Sequence, residues 1–451
     1  MRKLLTALLV LAGLSAGALL VLPNSTPGVL QAKQKIASFI AVDARYEVPN
    51  TARDTSLPPV DRPAYPAQRP DWESRIARLF VTYPSDLDHL RSPGAVLLEK
   101  WNTRAQNRFG RYSSYDPVQT RSVAEGVRDT MQARRHDVLL YDEGEGGYVM
   151  RIGTLPAPAE IGPYLTDGTV GPTMEGHVSA AENRSDRKAQ IGALFAALAE
   201  ELANQGIDVV LAPMIDVAEP SYDENFVFQD DRFFSHRDAI VHELAVLYID
   251  AMHQAGIRTV GKHFLTLAQL PHSDAHDVYM VNPADTAANN SALRLYARLA
   301  NRLDGIMLAP VGNPEEEDNR LYLFSRQAVQ ALRDSLGFSG LIITDELGMQ
   351  SIKRTLDAIQ LSDRERRLTE PAESHHAVAA VLALDAGADQ LLLSRTANKF
   401  PNVLATIRHA YDLDADFRAR VDSALVRYDR WVNQGPRTQP ILDPAQIASP
   451  E

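Results

Sequence analysis

The chain alternates short apolar runs with long amphipathic stretches, and this alternation constrains its fold more than any other feature. The apolar runs, eight in number, cover residues 78–83, 95–98, 138–141, 208–212, 259–263, 305–308, 341–344 and 390–393. Runs this short predict strands that are buried on both faces. Strands of that kind belong to parallel sheets covered by helices on each side.

The stretches between these runs have the composition and periodicity of helices. They are rich in Ala, Leu and Arg and cover residues 119–134, 187–205, 237–255, 286–302, 326–336, 375–386 and 401–410. Strands that alternate with helices predict an α/β protein, and eight strands are the number that closes a (β/α)8 TIM-type barrel. An open doubly wound sheet is the alternative, although no Gly-rich phosphate loop follows the first run. We expect a single catalytic barrel with an extended N-terminal segment.

Composition places the chain among ordinary globular proteins and excludes several functions. Its 451 residues are 45% hydrophobic and 23% charged, which is enough to build a sizeable core. The formal net charge is −12 and no block of Lys and Arg stands out, so we expect no nucleic-acid partner. The chain has no cysteine, which removes disulfides, thiolate catalysis, Cys-ligated zinc and a lipoprotein anchor.

The N-terminus predicts export. Arg2 and Lys3 precede an apolar segment, residues 4–22, as the basic and hydrophobic regions of a signal do. The segment is almost long enough to span a bilayer, so a cleaved signal peptide and a retained inner-membrane anchor both remain open. In either case we expect the barrel to lie outside the cytoplasm, periplasmic or anchored to the membrane.

The chain therefore divides into four predicted parts. Residues 1–22 form the signal peptide or signal anchor, and residues 23–74 form a Pro-rich linker. The barrel covers residues 75–435, and residues 436–451 form a C-terminal tail that is again rich in Pro.

Acidic residues stand where two of the predicted strands end. Asp345 directly follows the run 341–344, and α/β barrels place their chemistry at the carboxyl ends of their strands. The alternative for Asp345 is a cap of the next helix. After the third run, Asp142, Glu143 and Glu145 lie among three glycines. They either bring carboxylates to the barrel mouth or form a solvated turn.

Other strands end in polar residues as well. Asp216 comes after Pro213, which ends the fourth strand, and is either a structural hydrogen-bonding residue or a ligand contact. Arg232 stands beside aromatic residues and is suited to grip hydroxyls or a carboxylate, unless it forms a surface ion pair with the two acids before it. Lys262 and His263 close the fifth strand, where core packing does not explain two such polar residues.

The segment after the fifth strand carries a histidine and a carboxylate two residues apart. An aspartate at this spacing can fix the tautomer of an imidazole and raise its basicity, so Asp274 and His276 form a candidate acid/base pair. A metal site made of His263, His272, Asp274 and His276 is a competing hypothesis, but the spacing matches no tight zinc pattern. We therefore expect neither a metal nor a cofactor.

Several segments together stand in an order and spacing specific to one family. They are residues 93–98, Asp142 to Gly147, residues 212–217, Asp231-Arg232, Lys262-His263-Phe264, Asp274-Ala275-His276, residues 325–345 and residues 386–389. Over roughly residues 75–430 the chain resembles glycoside hydrolase family 3, in its single-domain β-N-acetylhexosaminidase branch.

The resemblance implies a retaining glycosidase that removes terminal β-linked N-acetylglucosamine, typically from peptidoglycan fragments. Asp345 matches the nucleophile that forms the glycosyl-enzyme intermediate, and His276 matches an acid/base on a loop, with Asp274 as its partner. Further positions match residues that bind sugar hydroxyls: Asp142, Arg232, Lys262 and His263. The resemblance implies a carbohydrate substrate as the partner. We expect the protein to be a monomer.

The chain departs from the family pattern in two loops. Residues 265–269 read Leu-Thr-Leu-Ala-Gln where the family has Pro-Gly-His-Gly-Asp, and the segment that follows Asp142 carries an insertion and ends in Tyr148 instead of Arg. These changes leave two alternatives open. One is a family 3 hydrolase of another β-glycoside, such as a β-glucosidase or a phosphorylase-like enzyme. The other is a catalytically degenerate barrel that binds glycan.

Overall fold

The structure is a computed structural model. It describes residues 72–98, 117–134, 136–147, 149–150, 152–217, 230–267, 287–313, 319–394 and 397–437. Within these residues, eight strands form one sheet: β1 Phe80–Thr82, β2 Ala95–Leu97, β3 Leu139–Asp142, β4 Val209–Val210, β5 Arg258–Phe264, β6 Gly305–Leu308, β7 Leu341–Thr344 and β8 Leu391–Leu392. Each lies where the sequence predicts a strand. All of their residues except Leu139 are buried, as in a sheet covered on both faces.

The strands form a nearly closed barrel. They pair in parallel and in chain order from β1 to β7. β8 pairs with β1, where Phe80 stands opposite Leu391, and a bridge between Ile343 and Gln390 joins β7 to the residue before β8. The predicted (β/α)8 TIM-type fold is confirmed, and the open doubly wound sheet is wrong. The carboxyl ends of the strands therefore meet at one mouth, where such barrels hold their active sites.

Helices surround the sheet. In the described part of the chain they are α1 Trp72–Ala77, α2 Pro117–Ala133, α3 Pro158–Asp167, α4 Arg184–Asn204, α5 Asp238–Gln254, α6 Ala287–Leu299, α7 Arg326–Gln330, α8 Gln350–Ala358, α9 Asp363–Leu368, α10 His375–Ala386, α11 Phe400–Leu413 and α12 Ala415–Gln434. Every predicted helix forms. The one predicted over 326–336 is divided, because a π-helical turn, Ala331–Ser335, follows α7.

The last helix, α12, lies across the amino ends of the strands. The hydroxyl of Tyr428 donates to the carbonyl of Gly94, just before β2, at 2.7 Å. Arg258, the first residue of β5, donates to the carbonyl of Trp431 at 3.2 Å. The ring of Trp431 packs edge-on against Tyr141 of β3, with 6.1 Å between the ring centroids. These contacts close the amino end of the barrel, opposite the mouth that carries the candidate site.

The predicted export signal and linker stay predictions. Residues 1–71 lie outside the described residues, as do 438–451. Among the helices that the structure does describe, none combines the length and the apolar character needed to cross a membrane.

Candidate active site

Asp345 lies at the barrel mouth, directly after β7, and is 8% exposed. Its Oδ1 accepts a hydrogen bond from the amide N–H of Glu346 at 2.8 Å, and its Oδ2 lies 3.9 Å from Nε2 of His263. The helix that follows, α8, begins at Gln350 with Met349 at its N-cap position. The structure therefore contradicts the helix-cap alternative for Asp345, and the carboxylate faces the end of the neighbouring strands instead.

His263 is held in place by Asp216. Nδ1 of the His263 ring lies 3.0 Å from Oδ2 of Asp216, and the His263 amide N–H donates to the same oxygen at 3.1 Å. The other carboxylate oxygen accepts from the Thr266 hydroxyl and from the amide N–H of Leu267, both at 2.6 Å. Asp216 is 1% exposed. Of the two alternatives for this residue, a structural hydrogen-bonding residue or a ligand contact, the structure supports the first.

The electrostatics of Asp216 fix the orientation of this ring. Burial acts to raise the pKa of Asp216, but the hydrogen bonds from His263, Thr266 and Leu267 outweigh burial and leave the pKa below its ordinary value. An ionised Asp216 only accepts hydrogen bonds, so Nδ1 of His263 carries the proton toward it. The Nε2 atom is thereby presented to Asp345.

A second buried network ties the third and fifth strand ends together. Arg232 makes a bidentate contact with Glu145, its Nε and terminal nitrogen lying 2.8 and 2.7 Å from the two carboxylate oxygens. Nζ of Lys262 lies 2.5 Å from Glu145 and 2.6 Å from Glu143. Arg232 is 6% exposed, so the alternative of a surface ion pair is wrong for it.

The charges of this network stabilise each other. Burial acts to raise the pKa of Glu145, but Arg232 and Lys262 outweigh burial and lower that pKa to about 2. Burial acts to lower the pKa of Lys262, while Glu143 and Glu145 raise it above its ordinary value. Glu145, Lys262 and Arg232 are therefore charged at neutral pH and form a polar floor at the carboxyl ends of β3 to β5.

The glycine-rich loop after β3 supplies two carboxylates that the sequence analysis did not assign to the site. Asp142, the last residue of β3, is 0% exposed, whereas the side chain of Glu143 keeps 18% of its surface. Glu143 and Glu145 both reach Lys262. The role of Asp142 in sugar binding stays a prediction. The sequence feature that could have pointed to Glu143 and Glu145 is the insertion in this loop, because it shifts the carboxylates along the chain.

The predicted acid/base pair is not part of the described structure. Asp274 and His276 lie within residues 268–286, outside the described residues, and their roles stay predictions. His272, on which the competing metal hypothesis also depends, lies in the same segment. The structure thus places Asp345 near His263 and joins Lys262 to Arg232 through Glu145. The acid/base face of the site stays a prediction.

A parallel barrel with a buried carboxylate and fixed cations at its mouth belongs to the class of α/β-barrel enzymes. The family model described as "Glycosyl hydrolase family 3 N terminal domain" matches residues 105–428. The chain therefore belongs to glycosyl hydrolase family 3 and is a glycoside hydrolase.

Individual relatives agree with this assignment. The chain is 28% identical over 275 residues to a β-hexosaminidase of Idiomarina loihiensis, covering 60% of this chain and 71% of the relative. It is 25% identical over 311 residues to a β-hexosaminidase of Methylobacillus flagellatus, covering 68% and 77%.

Solved structures share the fold. The crystal structure of a β-N-acetylhexosaminidase from Beutenbergia cavernae superposes with a TM-score of 0.61 at 21% identity, over 79% of this chain and 97% of the other. A β-glucoside phosphorylase superposes with a TM-score of 0.59 at 18% identity, over 80% and 58%.

Proposed function

We propose that this chain is a retaining β-N-acetylhexosaminidase that releases terminal β-linked N-acetylglucosamine, with Asp345 as its nucleophile. The observation that carries the proposal is the position of Asp345, a carboxylate at the barrel mouth whose Oδ2 lies 3.9 Å from Nε2 of His263. The β-hexosaminidase relatives support the sugar.

The chemistry needs a carboxylate on one face of the sugar and a proton donor on the other. Asp345 attacks the anomeric carbon while the glycosidic oxygen leaves, which gives a covalent glycosyl-enzyme intermediate. His276 gives its proton to the leaving oxygen and then takes one from the water that releases the sugar. Asp274 holds the ring of His276 in the tautomer that this exchange requires.

The polar floor positions the sugar. Lys262 and Arg232 present N–H groups to the hydroxyls, His263 offers them its Nε2 atom, and Asp142 completes the set that we assign to the substrate. Lys262 and Arg232 cannot easily move because Glu145 holds both. Cations that are already in place lose little entropy when the substrate binds, which lowers the barrier through orientation.

We place this activity outside the cytoplasm and on glycan derived from peptidoglycan. The basic residues and apolar segment at the N-terminus support export. A barrel that is exported or anchored at the membrane meets cell-wall glycan, and terminal N-acetylglucosamine is a component of that polymer. The chemical class of the substrate is thus a β-linked amino sugar at a non-reducing end.

An aryl β-N-acetylglucosaminide tests the proposal. We expect turnover by the wild type, a loss of about 10³-fold or more in Asp345→Asn, and a loss of about 10²–10⁴-fold in His276→Ala. The matched control is Asp389→Asn, which changes a buried aspartate at the amino end of the barrel, away from the mouth. Equal activity in all four proteins would contradict the assignment.

Product analysis separates the alternatives. We expect free N-acetylglucosamine with and without added phosphate. A sugar phosphate that forms only when phosphate is present would identify a phosphorylase instead, a reaction that an uncharged histidine acid/base permits. Binding of a muropeptide without any bond cleavage at high enzyme concentration would identify a degenerate, glycan-binding barrel.

A further inference from the structure

A second acid, Glu346, follows Asp345 directly and spans the ends of two neighbouring strands. Its Oε2 lies 2.5 Å from the hydroxyl of Ser394, two residues after β8. Its Oε1 accepts from the amide N–H of Ser394 at 3.2 Å and from the amide N–H of Gly348 at 2.9 Å. One carboxyl group therefore ties the loop after β7 to the loop after β8.

This tie acts directly on Asp345. The amide N–H of Glu346 donates to Oδ1 of Asp345 at 2.8 Å, so the residue that anchors the loop also holds one oxygen of the carboxylate. The amide N–H of Leu347 donates to the carbonyl of Leu392 at 2.9 Å and fixes the same loop from its other side. If the Glu346 side chain loses its anchor, the peptide that orients Asp345 moves with it.

The hydrogen bonds of Glu346 fit a neutral acid as well as an anion. In the neutral form, Oε1 is the carbonyl oxygen that accepts both amide N–H groups, and Oε2–H donates to the hydroxyl of Ser394. A glutamine at this position reproduces the same pattern, with its carbonyl toward the two N–H groups and its amide toward Ser394. An alanine removes all three bonds.

The surroundings of Glu346 keep its neutral form populated up to about neutral pH. Burial raises the pKa of Glu346 to about 7, the charge of Asp345 adds to the rise, and the bonds from Ser394 and Gly348 oppose it. His376 of α10 borders the same space, since a Cβ on Gly348 would lie 3.1 Å from Oε1 of Glu346 and 3.6 Å from Nε2 of His376. Burial, His375 and Lys399 lower the pKa of His376 to about 4. His376 is therefore neutral near pH 7 and adds no cation.

We propose that Glu346 is a positioning residue that holds the nucleophile Asp345 in place by tying its loop to the end of β8, and that it does so as the neutral acid. The inference rests on the proposed function of Asp345. A neutral neighbour keeps the orienting bonds without placing a second negative charge beside the attacking carboxylate. When Glu346 ionises, the added charge disfavours the anionic Asp345 and the arrangement of its loop.

Two substitutions at one position separate positioning from folding. We expect Glu346→Ala to lower kcat by roughly 100-fold, the cost of a misplaced reacting group, with a change in KM of less than about threefold. We expect Glu346→Gln to restore kcat to within about fivefold of the wild type, because glutamine retains the three hydrogen bonds. The substrate is the aryl β-N-acetylglucosaminide in both cases.

The pH profile of kcat/KM supplies a readout that a purely structural role would not move. Both proteins should lose activity with rising pH as the acid His276 gives up its proton. The wild type should show a further loss through about 7, the pKa of Glu346, which Glu346→Gln lacks. The control is again Asp389→Asn. Asp389, just before β8, accepts a hydrogen bond from the amide N–H of Ile342 in β7 at 2.8 Å. It therefore joins β7 to β8 near their amino ends, away from Asp345. This variant should lose stability but keep the wild-type pH profile.

The outcomes distinguish this proposal from the one on which it rests. A wild type that cleaves no glycoside overturns both. If the wild type is active and Glu346→Ala has the same kcat, only the positioning role of Glu346 is overturned. Equal losses of kcat in the Ala and Gln variants with unchanged pH profiles also overturn it, because the acid would then matter only for the fold.

Discussion

Among the residues of the candidate site, Glu145 neutralises two buried cations with one carboxylate. It is 2% exposed, and its carboxylate contacts both Arg232 and Lys262. Two buried cations that share one anion are stable only while that anion is present, since each has given up its hydration. The neighbouring Glu143 shares one of these cations but keeps more of its own contact with solvent.

A pair of isosteric substitutions measures this difference. We expect Glu145→Gln to lower the free energy of unfolding by about 3–5 kcal/mol, because it leaves the Arg232 and Lys262 charges poorly compensated. Glu143→Gln, the matched change, should cost clearly less. Urea unfolding of both variants at neutral pH makes the comparison. A larger loss in Glu143→Gln would show that the exposed carboxylate, not the buried one, sustains the network.

The residues of the site could be predicted only in part. Lys262 and His263 stand out in the sequence because polar groups at the end of a buried strand need a reason to be there, and Arg232 stands out because it lies beside aromatic residues. Their partners do not stand out. Glu145 is 87 positions from Arg232, and only the pairing of β3 with β4 brings the segments that follow these strands together. In a glycine-rich segment with three acids, the inserted residue is the sequence signal that the acids are shifted, and it does not say which acid faces inward.

At the level of secondary structure, α12 is the element whose loss would matter most outside the site. Its buried face carries Tyr428 and Trp431, which contact β3, β5 and the residue before β2. Arg258 also lies over the Trp431 ring, 5.3 Å from its centroid. One helix thus binds several strands to each other at the amino end of the barrel.

Truncation of one large side chain tests the importance of α12. We expect Trp431→Ala to lower the free energy of unfolding by about 3–5 kcal/mol, since it leaves a cavity against Tyr141. The control on the same helix is Val426→Ala, at a position that is 56% exposed, which should change stability by no more than about 0.5 kcal/mol. Chemical denaturation reports both values. A negligible loss in Trp431→Ala would mean that the helix is held by its hydrogen bonds alone.

Prediction from sequence succeeds for elements whose residues follow one clear pattern of hydrophobicity. It fails for elements that are very short or of mixed composition. The strands are short apolar runs because they are buried on both faces, and this leaves a clear pattern. The unpredicted α9 has six residues and is fixed by a capping box between Ser362 and Glu365. The unpredicted α12 mixes apolar residues with Arg and Asp, so its sequence resembles an exposed helix until its buried face is known.

For the molecule as a whole, stability in acid should depend on Asp216. The pKa of Asp216 is lowered from an ordinary value of 3.8. A carboxyl group whose pKa is lower in the folded than in the unfolded state contributes stability above its unfolded pKa. That contribution is lost as pH falls through the folded pKa. The acid-induced loss therefore begins near pH 3.8 and continues below it.

The comparison of wild type with Asp216→Asn isolates this contribution. We expect the wild type to be the more stable protein at pH 7, and the difference in unfolding temperature to shrink as pH falls below 3.8. Calorimetric scans across pH 3 to 7 give the two curves. A difference that stays constant over this range would mean that Asp216→Asn destabilises the protein through altered packing and not through the loss of the carboxylate charge.

The pairing of Phe80 with Leu391 has a consequence for how the protein is made. During synthesis β1 leaves the ribosome long before the strand that will cover its outer edge. Until that strand arrives, the growing chain presents an unpaired sheet edge, the feature through which polypeptides associate with one another. For most of its time in translation the nascent chain therefore carries an edge on which another unfolded chain can pair.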